Sequence, residues 1–268
     1  MKNTNKRIPR EEWIEAKAFI DLARITPQPF KDSVDFTCMT VGDGCAISLP
    51  QAPAIGLNRI VGLDDVSGLN AAFDWMKTKT GRRNVQISEA SASNDLRQWV
   101  ADKGLIETGA WVKLVRSAPS APLAIEGPVR ARLAAVDDAP IFGKIMCTGF
   151  GFPAELEPLW SCLVGKECWS CFIAEWEGTP IGTGAIFIQG GYAWLGGGTT
   201  LPDYRGRGAQ KALINARLNE GLAKGVSLFA VETVQPQEGQ PNSSFANLTR
   251  AGFGLSYVRK NYLLPDAV

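Results

Sequence analysis

Apolar and polar residues recur along the chain with two periods, which separate helix-like from strand-like segments. Residues 11–23 carry apolar side chains at helical intervals, which predicts an amphipathic helix with one solvated face. Residues 33–49 form short strand-like pieces around Gly42-Asp43-Gly44, which predicts a hairpin. The further elements predicted before residue 117 are strands at 58–63, 85–88 and 111–116 and helices at 66–77 and 96–103.

Residues 117–128 hold three prolines among small residues, a composition typical of a linker. A second series of elements follows it. Strands are predicted at 129–135, 169–176, 181–189, 192–200, 228–233 and 255–264, and helices at 140–147, 154–164, 210–224 and 243–251.

The two series share an order: strand, turn, helix, strand, polar loop, helix, glycine, strand. The ends match best, because a short helix stopped by Gly104 or Gly252 precedes a strand with basic residues in both series. An internal duplication explains this order. Ordinary helix C-caps would also produce a glycine at these positions, so this alternative stays open.

Composition narrows the classes of function. The net charge of +1, with 45% hydrophobic and 21% charged residues, favours neither a nucleic-acid nor a membrane partner. No apolar run approaches the roughly 18 residues that span a bilayer, and the first ten residues are polar and basic, so we expect a cytoplasmic protein. The count of 0 histidines excludes Ser-His-Asp and Cys-His catalysis, and we expect no metal site.

Residues 201–213 place a basic, glycine-containing turn between a predicted strand and a predicted helix. A helix N-terminus offers unpaired N–H groups and a positive dipole end, and Gly206 and Gly208 let an anion approach the backbone. Arg205, Arg207 and Lys211 add positive charge that favours a polyphosphate. The turn is therefore predicted to bind phosphate groups, the alternative being a solvated basic turn.

The segment Arg205-Gly206-Arg207-Gly208-Ala209-Gln210 resembles the pyrophosphate loop of the GNAT superfamily of N-acetyltransferases, Arg/Gln-x-x-Gly-x-Gly/Ala. Gln210 departs from that pattern. Residues 129–264 resemble a complete GNAT domain in element order and in the closing Leu-x-x-x-Gly-Phe that ends at Phe253. In the first half, Asp64 and Asp65 occupy the position of the basic loop and would repel phosphate.

The resemblance implies an α/β (α+β) fold with two GNAT-like mixed-sheet units in tandem and helices on both faces of each sheet. Residues 1–120 are predicted to be a degenerate unit without the cofactor loop, and residues 127–268 the unit that binds acetyl-CoA. The sheet would open beside residues 192–200. The residues implied in binding acetyl-CoA are Thr199 and Thr200 beside pantetheine, Arg205, Gly206, Arg207, Gly208, Ala209 and Gln210 at the pyrophosphate, and Asn247 beside the pantetheine arm.

The implied reaction is transfer of an acetyl group from acetyl-CoA to an amine of a small molecule or peptide. A protein that binds or senses acyl-CoA without catalysis is the alternative, and a homodimer is compatible with either. The family often has a tyrosine that acts as general acid at the position where this chain has Leu248. The remaining candidates for this acid are Tyr204, Tyr257 and Tyr262, and of these we select Tyr204.

Glu232 is the predicted general base. It interrupts the apolar strand Phe229-Ala-Val-Glu-Thr-Val234 near the end that faces the expected opening, where loss of water would raise its pKa. The alternative is a glutamate of the pocket wall that pairs with an arginine.

Overall fold

The computed structural model describes residues 8–89, 91–124 and 126–265, and within these ranges the chain forms eight α-helices and eleven β-strands. The elements before residue 118 are α1 (Arg10–Ile25), α2 (Gln28–Val34), β1 (Thr37–Val41), β2 (Gly44–Ser48), β3 (Asn58–Val61), α3 (Val66–Lys77), β4 (Asn84–Ser88), α4 (Asn94–Asp102) and β5 (Ile106–Ser117). Those that follow are β6 (Val129–Leu133), α5 (Ala139–Phe150), α6 (Glu157–Ser161), β7 (Trp169–Trp176), β8 (Thr179–Gln189), β9 (Tyr192–Thr200), α7 (Ala209–Ala223), β10 (Leu228–Val234), α8 (Ser243–Arg250) and β11 (Gly254–Leu263).

The two halves repeat one order of elements. Two helices, three strands, a helix, a strand, a helix and a final strand run from α1 to β5, and the same series runs from α5 to β11. The second half has one further strand, β6, at its start. The structure thus has the duplicated element order that the sequence predicts.

All the strands belong to one sheet, in the order β1-β2-β3-β4-β11-β5-β10-β9-β8-β7-β6. The predicted mixed α/β fold is confirmed, with parallel pairs at β3–β4 and β9–β10 and antiparallel pairs elsewhere. The two predicted sheets are continuous, however, because β5 and β11 pair with each other across the centre. The division at residues 120 and 127 stays a prediction about the origin of the halves.

The last strands of the two halves are exchanged. Strand β10 pairs with β5 of the first half over seven residues, from Leu228↔Ser117 to Val234↔Trp111. Strand β4 pairs with β11 of the second half, from Arg259↔Ser88 to Leu263↔Asn84. Each half therefore completes its hydrogen bonding with a strand from the other half.

Helices cover both faces of the sheet, as predicted. On one face α1 buries Ile14, Phe19 and Leu22 in a core that also contains side chains of α5, α6, β7 and β9. On the other face α7 and α8 pack over β10, and α3 and α4 pack over β3 and β4. Burial of these apolar faces is the main source of stability. The described residues include no helix long and apolar enough to cross a membrane.

Two local differences from the sequence predictions have simple causes. Helix α2 was not predicted, because its seven residues begin beside two prolines and present few apolar positions. The proline-rich linker has no secondary structure, but it forms defined hydrogen bonds with α7. Asn219 on α7 accepts from the backbone N–H of Leu123 at 2.7 Å and donates to its carbonyl at 3.0 Å, so the linker is held against the second half.

Candidate functional site

Strand β9 separates from β10 after the first three of its nine residues. The two strands pair only from Leu228↔Tyr192 to Ala230↔Trp194, whereas on its other side β9 stays paired with β8 as far as Thr200↔Gly182. Residues 195–200 therefore present a strand edge that has no strand partner on the β10 side. The opening lies where the resemblance places it.

A bulge in β9 lies along this edge. The register with β8 shifts between the pairs Thr183↔Thr199 and Ala185↔Gly196, and Gly197 takes a left-handed backbone with φ of 60°. Thr199 and Thr200 follow the bulge and are half-buried at the mouth of the opening. Thr199 packs against Gly149 at the end of α5, where a larger side chain would collide with it.

The basic turn joins β9 to α7. Gly206 and Gly208 have left-handed φ values of 80° and 94°, and Gly208 is the N-cap of α7 without a side-chain hydrogen bond to the helix. Apart from the adjoining residues of the turn, no described atom lies within 4 Å of a Cβ added at either glycine. The first N–H groups of a helix have no partner within the helix, so this 15-residue helix presents them, with its positive dipole end, to an open surface.

Three cations surround the turn. Arg205 fixes its base, because its Nη2 donates to the Gly149 carbonyl at 3.3 Å and its Nε to the Thr200 carbonyl at 3.4 Å. The Arg207 guanidinium lies 4.1 Å from the centre of the Trp176 ring. Lys211 pairs with Glu126 at 2.9 Å, an exposed contact that water screens. The charges predicted to bind phosphate are thus brought together.

Gln210, the residue that departs from the family pattern, connects α7 to α8. Its Oε1 accepts from Asn247 Nδ2 at 2.5 Å, and its Nε2 donates to Ser244 Oγ at 3.3 Å. Its backbone N–H stays at the helix start, since the side chain turns toward α8. Asn247 is consequently engaged with Gln210 and with Arg250.

The three tyrosines named from sequence lie in different surroundings. The Tyr204 ring packs on Trp176 at 6.1 Å within the turn. The Tyr257 hydroxyl donates to Glu12 Oε1 at 2.7 Å, and burial raises the pKa of this tyrosine. Burial likewise raises the pKa of Tyr262, on β11 away from the opening. Leu248, where the family often has its acid, is buried in the apolar core under α8.

Glu232 lies on β10 just beyond the last pair with β9. Its Oε2 accepts from Trp194 Nε1 at 2.8 Å and from Lys113 Nζ at 3.2 Å, and its Oε1 lies 3.5 Å from Arg59 Nη2. The side chain is 8% exposed. Glu232 is therefore both at the opening, as predicted, and paired with an arginine, as the alternative has it.

Glu232 belongs to a group of six buried charges that we call the central ion cluster. Its members are Glu12, Glu15, Arg59, Lys113, Glu232 and Arg259. Three carboxylates face three cations, so the charges balance. Glu15 contacts Arg59 at 2.5 Å, Arg259 at 2.6 Å and the ammonium of Lys113.

The two carboxyl groups that share Lys113 differ in pKa. Burial raises the pKa of Glu232, the nearby charge of Glu15 adds to the rise, and Lys113 and Arg59 oppose it without cancelling it. Burial acts in the same direction on Glu15, but Arg259, Arg59 and Lys113 together hold its pKa well below the ordinary value. Of these two carboxyl groups, Glu232 is thus the one whose proton affinity the surroundings increase.

Sequence reasoning missed the other five members of the cluster. Arg59 and Lys113 interrupt predicted apolar strands, which is the signal that could have identified them. Glu12 and Glu15 fall three residues apart on the predicted helix 11–23, where amphipathic patterning places charged residues on the solvated face. Both are buried, because cations from β3, β5 and β11 meet them there.

Among the described residues no group of three or more potential metal ligands is close enough to hold an ion.

Comparison with known proteins agrees with this geometry. Residues 144–243 match the family model described as "Acetyltransferase (GNAT) family". No curated protein matches the chain in sequence.

Solved structures with the same fold include GCN5-related N-acetyltransferases. The one from Sphaerobacter thermophilus has a TM-score of 0.60 at 16% identity, covering 97% of this chain and 96% of its own. The one from Kribbella flavida has a TM-score of 0.60 at 13% identity, covering 91% and 95%. A tandem GNAT protein from the clavulanic acid biosynthesis pathway has a TM-score of 0.56 at 12% identity, covering 78% and 75%. Residues 144–243 are therefore similar to the GNAT acetyltransferase family, within a chain whose whole fold resembles those of solved GNAT proteins.

Proposed function

We propose that the protein transfers an acetyl group from acetyl-CoA to an amine of a small molecule or peptide. The observation that carries this proposal is the uncapped N-terminus of α7, ringed by Arg205, Arg207 and Lys211, at the end of a strand edge opened from β10. A polyphosphate with a long amide-containing arm matches both parts, since phosphate suits the helix start and amides suit a free strand edge.

The residues present fit acetyl-CoA. The backbone at Gly206, Gly208, Ala209 and Gln210 would receive the pyrophosphate, because the glycines leave space there. The edge at Thr199 and Thr200 would receive the pantetheine arm, with Asn247 nearby on α8. When bound, acetyl-CoA supplies an activated acyl group as a thioester.

Glu232 would remove the proton from the attacking amine, since its raised pKa keeps it a useful base near neutral pH. In the balanced reaction a C–N bond forms, the C–S bond breaks with its electron pair on sulfur, and one proton passes from the amine to the thiol. Tyr204 stays the predicted proton donor to sulfur, although its ring packs within the basic turn.

The first half would help to shape the acceptor side. Phe19 of α1 packs on Trp194 at 5.3 Å, and Lys113 and Arg59 hold Glu232. The exposed ring of Phe150, 46% accessible at the end of α5, offers an apolar contact for the acceptor. A cytoplasmic location and a homodimer remain part of the proposal.

Binding of CoA is the first test, measured by calorimetry on the wild-type protein, Gly208→Asp and Gly208→Asn. Asparagine tolerates the left-handed backbone and adds no charge, so it controls for the substitution itself. We expect Gly208→Asp to weaken binding at least tenfold more than Gly208→Asn. Equal affinities in both variants would show that CoA is not held at this turn.

Release of free thiol from acetyl-CoA in the presence of a broad amine panel is the second test. Turnover supports the enzyme. Tight binding without turnover on any amine would favour the alternative, an acyl-CoA-binding protein, which the buried Leu248 at the family's acid position also favours.

A further inference from the structure

Arg217 on α7 is a buried cation without a carboxylate partner among the described residues. It is 4% exposed, and all its hydrogen bonds go to backbone carbonyls. Nε donates to Leu213 at 2.9 Å, and Nη1 donates to Gly196 at 3.2 Å and to Ala185 at 3.4 Å. Burial lowers its pKa to about 10, so it stays charged at neutral pH.

The guanidinium of Arg217 fits against the sheet because two of the residues it faces, Gly184 and Gly198, have no side chain. A Cβ at Gly184 would lie 3.0 Å from Nε, and a Cβ at Gly198 would lie 3.2 Å from Nη2. Both positions flank the bulge of β9, where the register with β8 shifts. Larger residues at either position would displace Arg217, so the bulge and the arginine form one arrangement.

One nitrogen of Arg217 has no role in this arrangement. Within the described part of the chain, Nη2 makes no hydrogen bond, and it lies beside Gly198, an exposed residue of the open β9 edge. An isolated buried charge is costly to maintain, and a stability role is already met by Nε and Nη1. A cation held in place with a spare donor is suited to stabilising negative charge that develops during a reaction.

We propose that Arg217 is a catalytic residue of the acyl transfer, whose Nη2 donates a hydrogen bond to the carbonyl oxygen of the bound thioester. This inference rests on the proposed function. As the amine attacks, electrons of the C=O bond move onto oxygen, where Nη2 stabilises them. They return as the C–S bond breaks, and Arg217 keeps its protons throughout.

Difference infrared spectroscopy with [1-¹³C]acetyl-CoA tests the hydrogen bond without requiring an acceptor. A donor to the carbonyl lowers its stretching frequency. We expect the band of acetyl-CoA bound to the wild-type protein to lie below that in Arg217→Met, with CoA affinity by calorimetry changed less than threefold. Lys224→Met is the control, because Lys224 is exposed at the C-terminal end of α7 and pairs with Glu220. Its carbonyl band should match that of the wild type.

Kinetics supply a second readout. Removal of one such donor lowers kcat by about 10²–10³-fold, and we expect this loss in Arg217→Met with KM for acetyl-CoA nearly unchanged. Arg217→Lys keeps the charge in the same cradle and should recover part of the rate.

An unshifted carbonyl band in Arg217→Met, or kcat within threefold of the wild type, overturns the role of Arg217. If Arg217→Met does not fold, Arg217→Gln, which also lacks the charge and the Nη2 donor, takes its place, and the same two results overturn the role. Failure of the wild-type protein to bind CoA would instead count against the proposed function, so the two failures are distinguishable.

Discussion

Lys113 on β5 and Glu232 on β10 stand opposite each other in the sheet, and Lys113 Nζ lies 3.2 Å from Glu232 Oε2. The pair joins the half that lacks a basic loop to the strand that lines the opening. The exchange of β5 and β11 produces this contact, because it places a first-half strand directly beside β10. The first half is thus part of the candidate site.

Glu232→Gln tests the proposed base. The amide still accepts a hydrogen bond from Trp194 but cannot take a proton, and loss of a general base lowers turnover by about 10²–10⁴-fold. CoA affinity should change little. In the wild type, kcat/KM should rise with pH through a pKa above the ordinary glutamate value, because the deprotonated form is active.

Glu175→Gln is the matched control, since Glu175 pairs with Arg132 on an outer strand. Its turnover and pH profile should follow the wild type. A Glu232→Gln protein that keeps more than half of the wild-type turnover would assign Glu232 to the structure of the cluster alone.

Glu15→Gln tests the balance of the central ion cluster. The substitution removes the carboxylate charge that compensates Arg59, Lys113 and Arg259. Breaking a buried ion pair in this way lowers the free energy of unfolding by about 3–5 kcal/mol. Denaturant unfolding measures the loss. Glu11→Gln is the control, because Glu11 of the same helix bonds only the exposed Ser256.

The same residue sets a dependence of stability on pH. Because the pKa of Glu15 is lower in the folded than in the unfolded protein, the unfolded chain binds more protons in acid. The contribution of Glu15 to the free energy of unfolding is present above the unfolded pKa and should be lost as the pH falls toward the folded value. Glu15→Gln should flatten this slope, and an unchanged acid slope would contradict the assignment.

The sequence predicts the features that depend on neighbouring residues. Strands β7 and β8 are predicted on either side of Glu177-Gly178, and these two residues have the left-handed backbone that a tight turn needs. The basic turn before α7 was predicted for the same reason. In both cases the residues that determine the conformation lie within a few positions of each other.

The strand exchange depends on distant residues. The alternation of apolar and polar side chains along β5 is compatible with pairing to β4 or to β10. The pattern therefore does not predict which strand lies beside β5. The burial of Glu15 is of the same kind, because the cations that compensate it come from β3, β5 and β11. Neither was accessible from local periodicity.

Cleavage of the linker tests the exchange directly. A protease site inserted after Ser120 lies in a segment without secondary structure. We expect the two pieces to co-elute on a native sizing column, because β10 pairs with β5 and β11 pairs with β4 and β5. They should separate in denaturant.

The second piece expressed alone, residues 121–268, should not fold cooperatively, since β10 and β11 lose their neighbours and Arg259 and Glu232 lose buried partners. Circular dichroism during thermal unfolding measures this. A cooperative transition of the isolated piece equal to that of the whole chain would contradict the interdependence of the halves.

Gln210→Ala tests why this chain departs from the family pattern at the helix start. The side chain ties α7 to α8 through Asn247 and Ser244, and each such hydrogen bond contributes about 0.5–1.5 kcal/mol. Alanine is the better helix former, which offsets a few tenths of a kcal/mol. We therefore expect a net loss of about 1–2 kcal/mol in the free energy of unfolding, measured with denaturant.

A double-mutant cycle with Asn247→Ala should give a coupling of at least about 0.5 kcal/mol, because both substitutions remove the same bond. Gln98→Ala, an exposed glutamine that bonds only Asp102, is the control and should change stability by less than about 0.5 kcal/mol. Strictly additive effects of Gln210→Ala and Asn247→Ala would mean that the hydrogen bond between the two helices contributes nothing to stability.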